Sequence, residues 1–115
     1  MRIGLIAFFA FCLAAGPAFA QGATADDIRK GHDLAALVCG NCHVAAADQR
    51  FTPVLNPPAP SFESIAQRPG TTAESLEKFM VTTHRGLDNP AGMPNPYLMD
   101  YQVKEVVAYM LSLRK

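Results

Sequence analysis

Apolar residues along this chain change spacing from block to block, and each block predicts a different element. Ile3 to Leu13 is a nearly continuous apolar run behind Arg2, followed by Gly16-Pro17 and the small-x-small triplet Ala18-Phe19-Ala20. A charge, an apolar run and a small-residue site in that order form an export signal. Residues 1–20 are therefore expected to be cleaved after Ala20, leaving 21–115 as the working domain. The run is too short to span a bilayer and no later stretch is longer, so no membrane anchor is expected. From Ala25 to about Val38 the spacing becomes helical, with Ile28, Gly31, Ala35 and Val38 on one face. Asp26 and Asp27 fall in the first turn, where negative charge suits the helix dipole. A glycine inside a helix costs about 1 kcal/mol against alanine, so Gly31 predicts a second helix crossing closely there.

Residues 44–70 contain Pro53, Pro57, Pro58, Pro60 and Pro69, which excludes a regular helix or central strand. A loop of that length needs something to pack against; Phe51, Val54, Leu55, Phe62 and Ile65 are its apolar anchors, and Ser61–Gln67 is expected to form a short helix. Thr71 and Glu74 have capping-box spacing, predicting a helix that turns Leu76, Phe79, Met80 and Thr83 inward and ends at Gly86. The segment from Leu87 to Met99 is a second proline-bearing loop, and it presents Met93. A last helix from about Asp100 to Leu113 carries the stripe Val103, Val106, Val107, Met110 and Leu113, with Tyr109 at its edge. No strand pattern or internal repeat appears, so the fold class is all-α, with three to four helices and long loops.

About 95 residues follow the signal, which makes for one small domain with a marginal core of its own. Without Arg2, nine Lys plus Arg face ten Asp plus Glu, a net charge near −1. That balance argues against nucleic acid or an anionic membrane as partner.

The chemistry concentrates in Cys39-Gly40-Asn41-Cys42-His43. Two thiols in C-x-x-C-H spacing reach two vinyl groups on one edge of a porphyrin, and the next residue points an imidazole at the iron, so the motif predicts covalent attachment of one c-type haem. A zinc site would need further ligands, yet beyond the motif there are only the single histidines His32 and His84. A thioredoxin-like site would want a preceding strand, and a helical pattern precedes this one. Cys12 leaves with the signal, so Cys39 and Cys42 are both used by haem and no structural disulfide is expected. An iron that shuttles electrons needs a second axial group, and a thioether is one choice. Met93, between two helices and backed by Pro94, is the leading candidate; Met99 and His84 are its rivals. Met80 and Met110 fit helix faces as core, and His32 reads as solvated surface. A haem also supplies the core that so short a chain lacks.

With these residues placed, the chain resembles the class I monohaem cytochromes c over residues 25–113. The similar features are Gly31 eight positions before Cys39, the motif Cys39–His43, Met93-Pro94, and the closing run Val106–Leu113. The resemblance implies a cytochrome c-like fold in which the first and last helices cross at Gly31 and Tyr109. It further implies that the Pro60 carbonyl accepts the Nδ1 hydrogen of His43. Two departures stand out: Ala59-Pro60 where the family usually has Gly-Pro, and Ala35 where it often has an aromatic. The implied function is a periplasmic one-electron carrier with His43/Met93 ligation, not an enzyme, working between donor and acceptor redox proteins. It would be a monomer or, as an alternative, a dedicated subunit of a periplasmic dehydrogenase complex. A haem peroxidase or ligand sensor is a third reading, kept open by His84-Arg85. In this family electrons leave through the exposed thioether edge. No lysine flanks the motif, so docking is expected through a small apolar patch at Val44-Ala45-Ala46-Ala47, with weak charge steering.

Overall fold

The computed structural model describes residues 22–115, so the export signal and its cleavage point at Ala20 lie outside the described residues. The chain forms α1 (Ala25–Leu34), which continues into a π-helical turn (Ala35–Cys39), then α2 (Phe62–Ala66), α3 (Ala73–Val81) and α4 (Asp100–Ser112). Among the described residues there is no strand; an isolated parallel bridge joins His43 to Ala59. The all-α expectation holds.

Helix α1 starts where a capping box closes it. Thr24 Oγ1 accepts the Asp27 amide at 3.1 Å, and the Asp27 carboxylate accepts the Thr24 amide at 2.9 Å. Its main partner is α4, and the two cross at Gly31. A Cβ on Gly31 would fall onto the Glu105 carbonyl and lie 2.9 Å from Tyr109 Cβ, so only a glycine permits this approach.

Helix α4 is the centre of the molecule, with α1, α2 and α3 all packed on it. The buried surface is consequently wider than one stripe: Ala108 and Tyr109 join Val103, Val106, Val107 and Met110 inside, while Leu113 is only half-buried. Tyr109 is thus a core residue and not an edge one. Full burial of Val106 alone stabilises the domain by about 1.5–3 kcal/mol. The C-terminus folds back on α2, where Gln67 Nε2 donates to the Leu113 carbonyl at 2.9 Å and Arg114 Nε to Ala66 at 3.1 Å.

Helix α3 begins and ends differently from the expectation. Its cap is Thr72, paired with Ser75, while the Thr71 hydroxyl turns back to donate to the Ile65 carbonyl at 2.9 Å. It stops at Val81, well before Gly86. The Thr82 hydroxyl donates to the Lys78 carbonyl at 2.8 Å and Asn95 Nδ2 to the Val81 carbonyl at 3.0 Å, so the last carbonyls find partners without another turn. Leu76 and Met80 point into the core as expected. Phe79 and Thr83 do not: both are exposed, and the Phe79 ring stacks on His84 at 3.8 Å.

Candidate haem site

The π-turn carries the chain from α1 into the Cys-x-x-Cys-His motif. The Gly40 amide reaches back five residues to the Ala35 carbonyl at 3.0 Å, which widens the last turn of the helix before Cys39. The chain then reverses: the amides of Cys42 and His43 both donate to the Cys39 carbonyl, at 3.1 and 2.9 Å. Cys39, Cys42 and His43, the residues the spacing singled out, are therefore held in one turn, each partly buried.

His43 has a fixed ring. Its Nδ1 lies 2.6 Å from the Pro60 carbonyl, which can only accept, so Nδ1 carries a proton and Nε2 is the nitrogen that the neutral ring offers to a ligand. Phe62 packs beside it with ring centroids 5.5 Å apart. The Pro60 contact implied by the family resemblance is thus present, although Ala59 replaces the usual glycine.

Met93 sits in a loop that closes on itself. The His84 amide donates to the Met93 carbonyl at 3.0 Å, and Asn89 Nδ2 to the His84 carbonyl at 2.9 Å. Gly92 is required inside this ring, since a Cβ there would overlap the His84 carbonyl and sit 2.6 Å from Asn89 Nδ2. The Met93 side chain is half-buried against the core cluster. Farther along, Asn95 Oδ1 accepts the Tyr97 amide at 2.8 Å and supports Tyr97 in the left-handed region, at φ +53°. Between this loop, α3 and α4 lies an open cavity of about 200 Å³, lined by Met80, Val81, Asn95, Tyr97, Leu98 and Val103.

The other methionines and histidines have separate occupations. Met80 and Met110 are core, and Met99 is exposed at the start of α4. His84 Nε2 lies 3.1 Å from the Phe79 carbonyl under the stacked phenyl ring. His32 is not merely solvated: its Nε2 meets Asp48 at 2.7 Å, its Nδ1 meets Asp33 at 3.0 Å, and its ring packs edge-on to Tyr109. It ties α1 to the loop after the motif. Nothing local in the sequence pairs positions 32 and 48, because the contact exists only once the loop has folded back.

The alanine run is also placed differently. Ala45 and Ala46 are 1% and 4% exposed, and the Ala45 carbonyl accepts the Tyr109 hydroxyl at 3.0 Å. The ends of the run, Val44 and Ala47, are open to solvent, and Leu37, Phe51 and Val54 are further exposed apolar side chains around the motif. Leu37 and Phe51 line a shallow groove of about 290 Å³ whose floor includes Gly40 and Asn41.

Compared with known families, the chain matches cytochrome c over residues 28–114. It belongs to the cytochrome c family. It is similar to a cytochrome c-552 of Bradyrhizobium diazoefficiens, 35% identical over 94 residues that cover 82% of each chain. No solved structure gives a significant match. As a cytochrome c, the protein is a haem-based electron carrier with covalently bound haem c and its iron, and it works with redox proteins.

The donor chemistry of this cytochrome c suits that group. Burial, with the neighbouring Cys42 as a lesser cause, pushes the Cys39 thiol up to about 11. A pair that exchanges disulfides needs a lowered thiol pKa, whereas a thioether sulfur has no proton to lose and tolerates burial. Among the described residues no group of three or more His, Cys, Asp or Glu side chains could hold a metal ion by itself. An imidazole whose Nδ1 is taken by Pro60, in one turn with two partly buried sulfurs, is a donor set for haem and not for a bare ion. No helix among the described residues is long and apolar enough to cross a membrane.

Proposed function

We propose that this chain is a periplasmic one-electron carrier, exported by residues 1–20 and cleaved after Ala20, and not an enzyme. Cys39 and Cys42 would hold the haem as thioethers, and His43 and Met93 would ligate its iron. When bound, that haem supplies a one-electron couple at its iron.

The observation that carries this reading is the His43–Pro60 hydrogen bond of 2.6 Å. It fixes the tautomer, aims Nε2 away from the loop, and raises the basicity of the ring. Met93 is supported by its place in the ring of hydrogen bonds from His84 to Gly92, which holds a flexible side chain on a stiff loop. Met80, Leu98 and Val103 give the cavity beside the Met93 loop apolar walls, and an apolar surround favours the less charged, reduced state. Leu37, Val44 and Phe51 offer partners an apolar docking face next to the motif, and Arg50 and Asp33 on the same groove leave it without a dominant sign.

An anaerobic redox titration of Met93→Ala with visible spectroscopy tests the ligation. The midpoint potential should fall, the thioether-to-iron band should disappear, and the ferric protein should take up added imidazole. A variant that keeps the band removes Met93 from the role.

A further inference from the structure

Backbone carbonyls that leave regular structure need partners, and along the attachment turn four of those from residues 39 to 45 take main-chain amides. The Cys39 carbonyl takes Cys42 and His43, Asn41 takes Val54 at 2.9 Å, Cys42 takes Ala59 at 2.9 Å, and Val44 takes Phe62 at 3.1 Å. The Ala45 carbonyl takes the Tyr109 hydroxyl. The carbonyls of Gly40 and His43 depend on one side chain, the half-buried amide of Gln49. Its Nε2 lies 3.3 Å from each of them and 2.8 Å from the Phe51 carbonyl. Its Oε1 accepts the amides of Ala45 at 2.7 Å and Ala46 at 3.1 Å.

We infer that Gln49 is a positioning residue for the haem: it ties Gly40, between the cysteines, to His43, and so sets the spacing of both thiols and the direction of the imidazole. The inference rests on the haem assignment above. The chemistry requires an amide. A primary amide has two hydrogens, so the short bond to Phe51 takes one and the two 3.3 Å contacts share the other. One planar group thereby meets five main-chain atoms from residues 40 to 51. Glutamate would keep the two bonds at Oε1 but set a carboxylate oxygen against three carbonyls. Methionine would fill the volume and make none of the five. Neither the motif nor the family resemblance points to this position, because its partners are main-chain atoms brought together by the loop.

The test uses full-length protein matured in a host that attaches haem c, and starts with wild type. Haem bound per chain by pyridine haemochrome, with mass spectrometry for the number of thioethers, tests the haem assignment itself; a wild-type chain without covalent haem overturns that assignment. Given wild-type attachment, Gln49→Met should yield a severalfold larger share of single-thioether product. In its doubly attached fraction the paramagnetically shifted His43 ring resonances should move and the midpoint potential should shift. Gln49→Glu, which retains the Oε1 bonds but sets a carboxylate oxygen against the three carbonyls, should show the same changes. Thr72→Ala, which removes the α3 cap away from the turn, should lower stability and change none of these readouts. If Gln49→Met or Gln49→Glu loses stability but keeps full double attachment, wild-type His43 resonances and wild-type potential, Gln49 only supports the fold and the inference is overturned.

Discussion

Replacing Gly31 with alanine tests the packing on which the rest of the fold depends. The change removes a helix-interior glycine and by propensity alone should stabilise α1 by about 1 kcal/mol. The new methyl, however, would sit on the Glu105 carbonyl and 2.9 Å from Tyr109 Cβ. Both obstacles belong to the frame of α4, with no rotamer by which to withdraw, so the helices must part at their crossing. Overpacking of a dense core costs about 1–3 kcal/mol, and a clash with main chain belongs at the upper end. Residues on both sides of the seam, Ile28 on α1 and Ala35 at the start of the π-helical turn, and Val106, Val107 and Tyr109 on α4, would lose contact together. Net of the propensity gain, the variant should be destabilised by about 2 kcal/mol. For a domain of this size that corresponds to a fall of roughly 8–16 °C in melting temperature. Circular dichroism melts of the holoprotein measure it, with Gly22→Ala as the control, since a Cβ at position 22 meets nothing within 4 Å. A Gly31→Ala protein that melts at or above the wild-type temperature would refute the close crossing.

Three other outcomes follow from the geometry. Tyr109→Phe leaves the Ala45 carbonyl without its donor in a buried setting and should cost about 1–3 kcal/mol in urea unfolding; an unchanged midpoint would mean that water replaces the hydroxyl. His32 is raised above its ordinary value by its hydrogen bonds to Asp33 and then Asp48, because only the imidazolium donates from both nitrogens. Its contribution is complete below about pH 6.5 and is lost as pH rises through the raised folded value. Urea midpoints of wild type should therefore decline from pH 6 to 8 relative to His32→Gln, and parallel profiles would remove the clasp from the stability of the fold. Electron exchange with a partner that docks on the Leu37–Phe51 groove should change little with ionic strength, since that groove carries one acid and one base; a steep fall in stopped-flow rate on adding salt would place the docking surface elsewhere.

What was legible in the sequence divides along a physical line. The haem motif, the close crossing at Gly31 and the α4 stripe are short-range patterns, and each appears where spacing alone placed it. The start of α3 was displaced by one residue because Thr71 and Thr72 both head acceptable capping patterns, and Thr71 turns back to Ile65 while Thr72 caps. Its end was misplaced because Gly86 is a good cap in isolation, while Asn95 reaches back from the Met93 loop and satisfies Val81 earlier. Each boundary is accompanied by a side-chain bond to a main-chain group, Thr71 to Ile65 six residues before it and Asn95 to Val81 fourteen before it.

Bonds of that kind also explain why half of the site's support was invisible. Cysteines, an imidazole and a thioether advertise themselves by chemistry, so Cys39, Cys42, His43 and Met93 can be nominated from a string of letters. Of the groups that aim them, Pro60 is indicated only through the family resemblance, while Asn89 and Gln49 act through one amide apiece, with no composition to mark them. The alanine run shows the converse error. Small uncharged residues beside a redox motif read as a contact patch, yet Ala45 and Ala46 are buried in the core cluster with Tyr109, whose hydroxyl donates to the Ala45 carbonyl. The exposed apolar face of the motif therefore keeps Val44 from that run and extends to Leu37 and Phe51. Loop folding also makes Gln49, a residue with no redox chemistry of its own, the link between the cysteine turn and the loop that presents Phe51 to a partner.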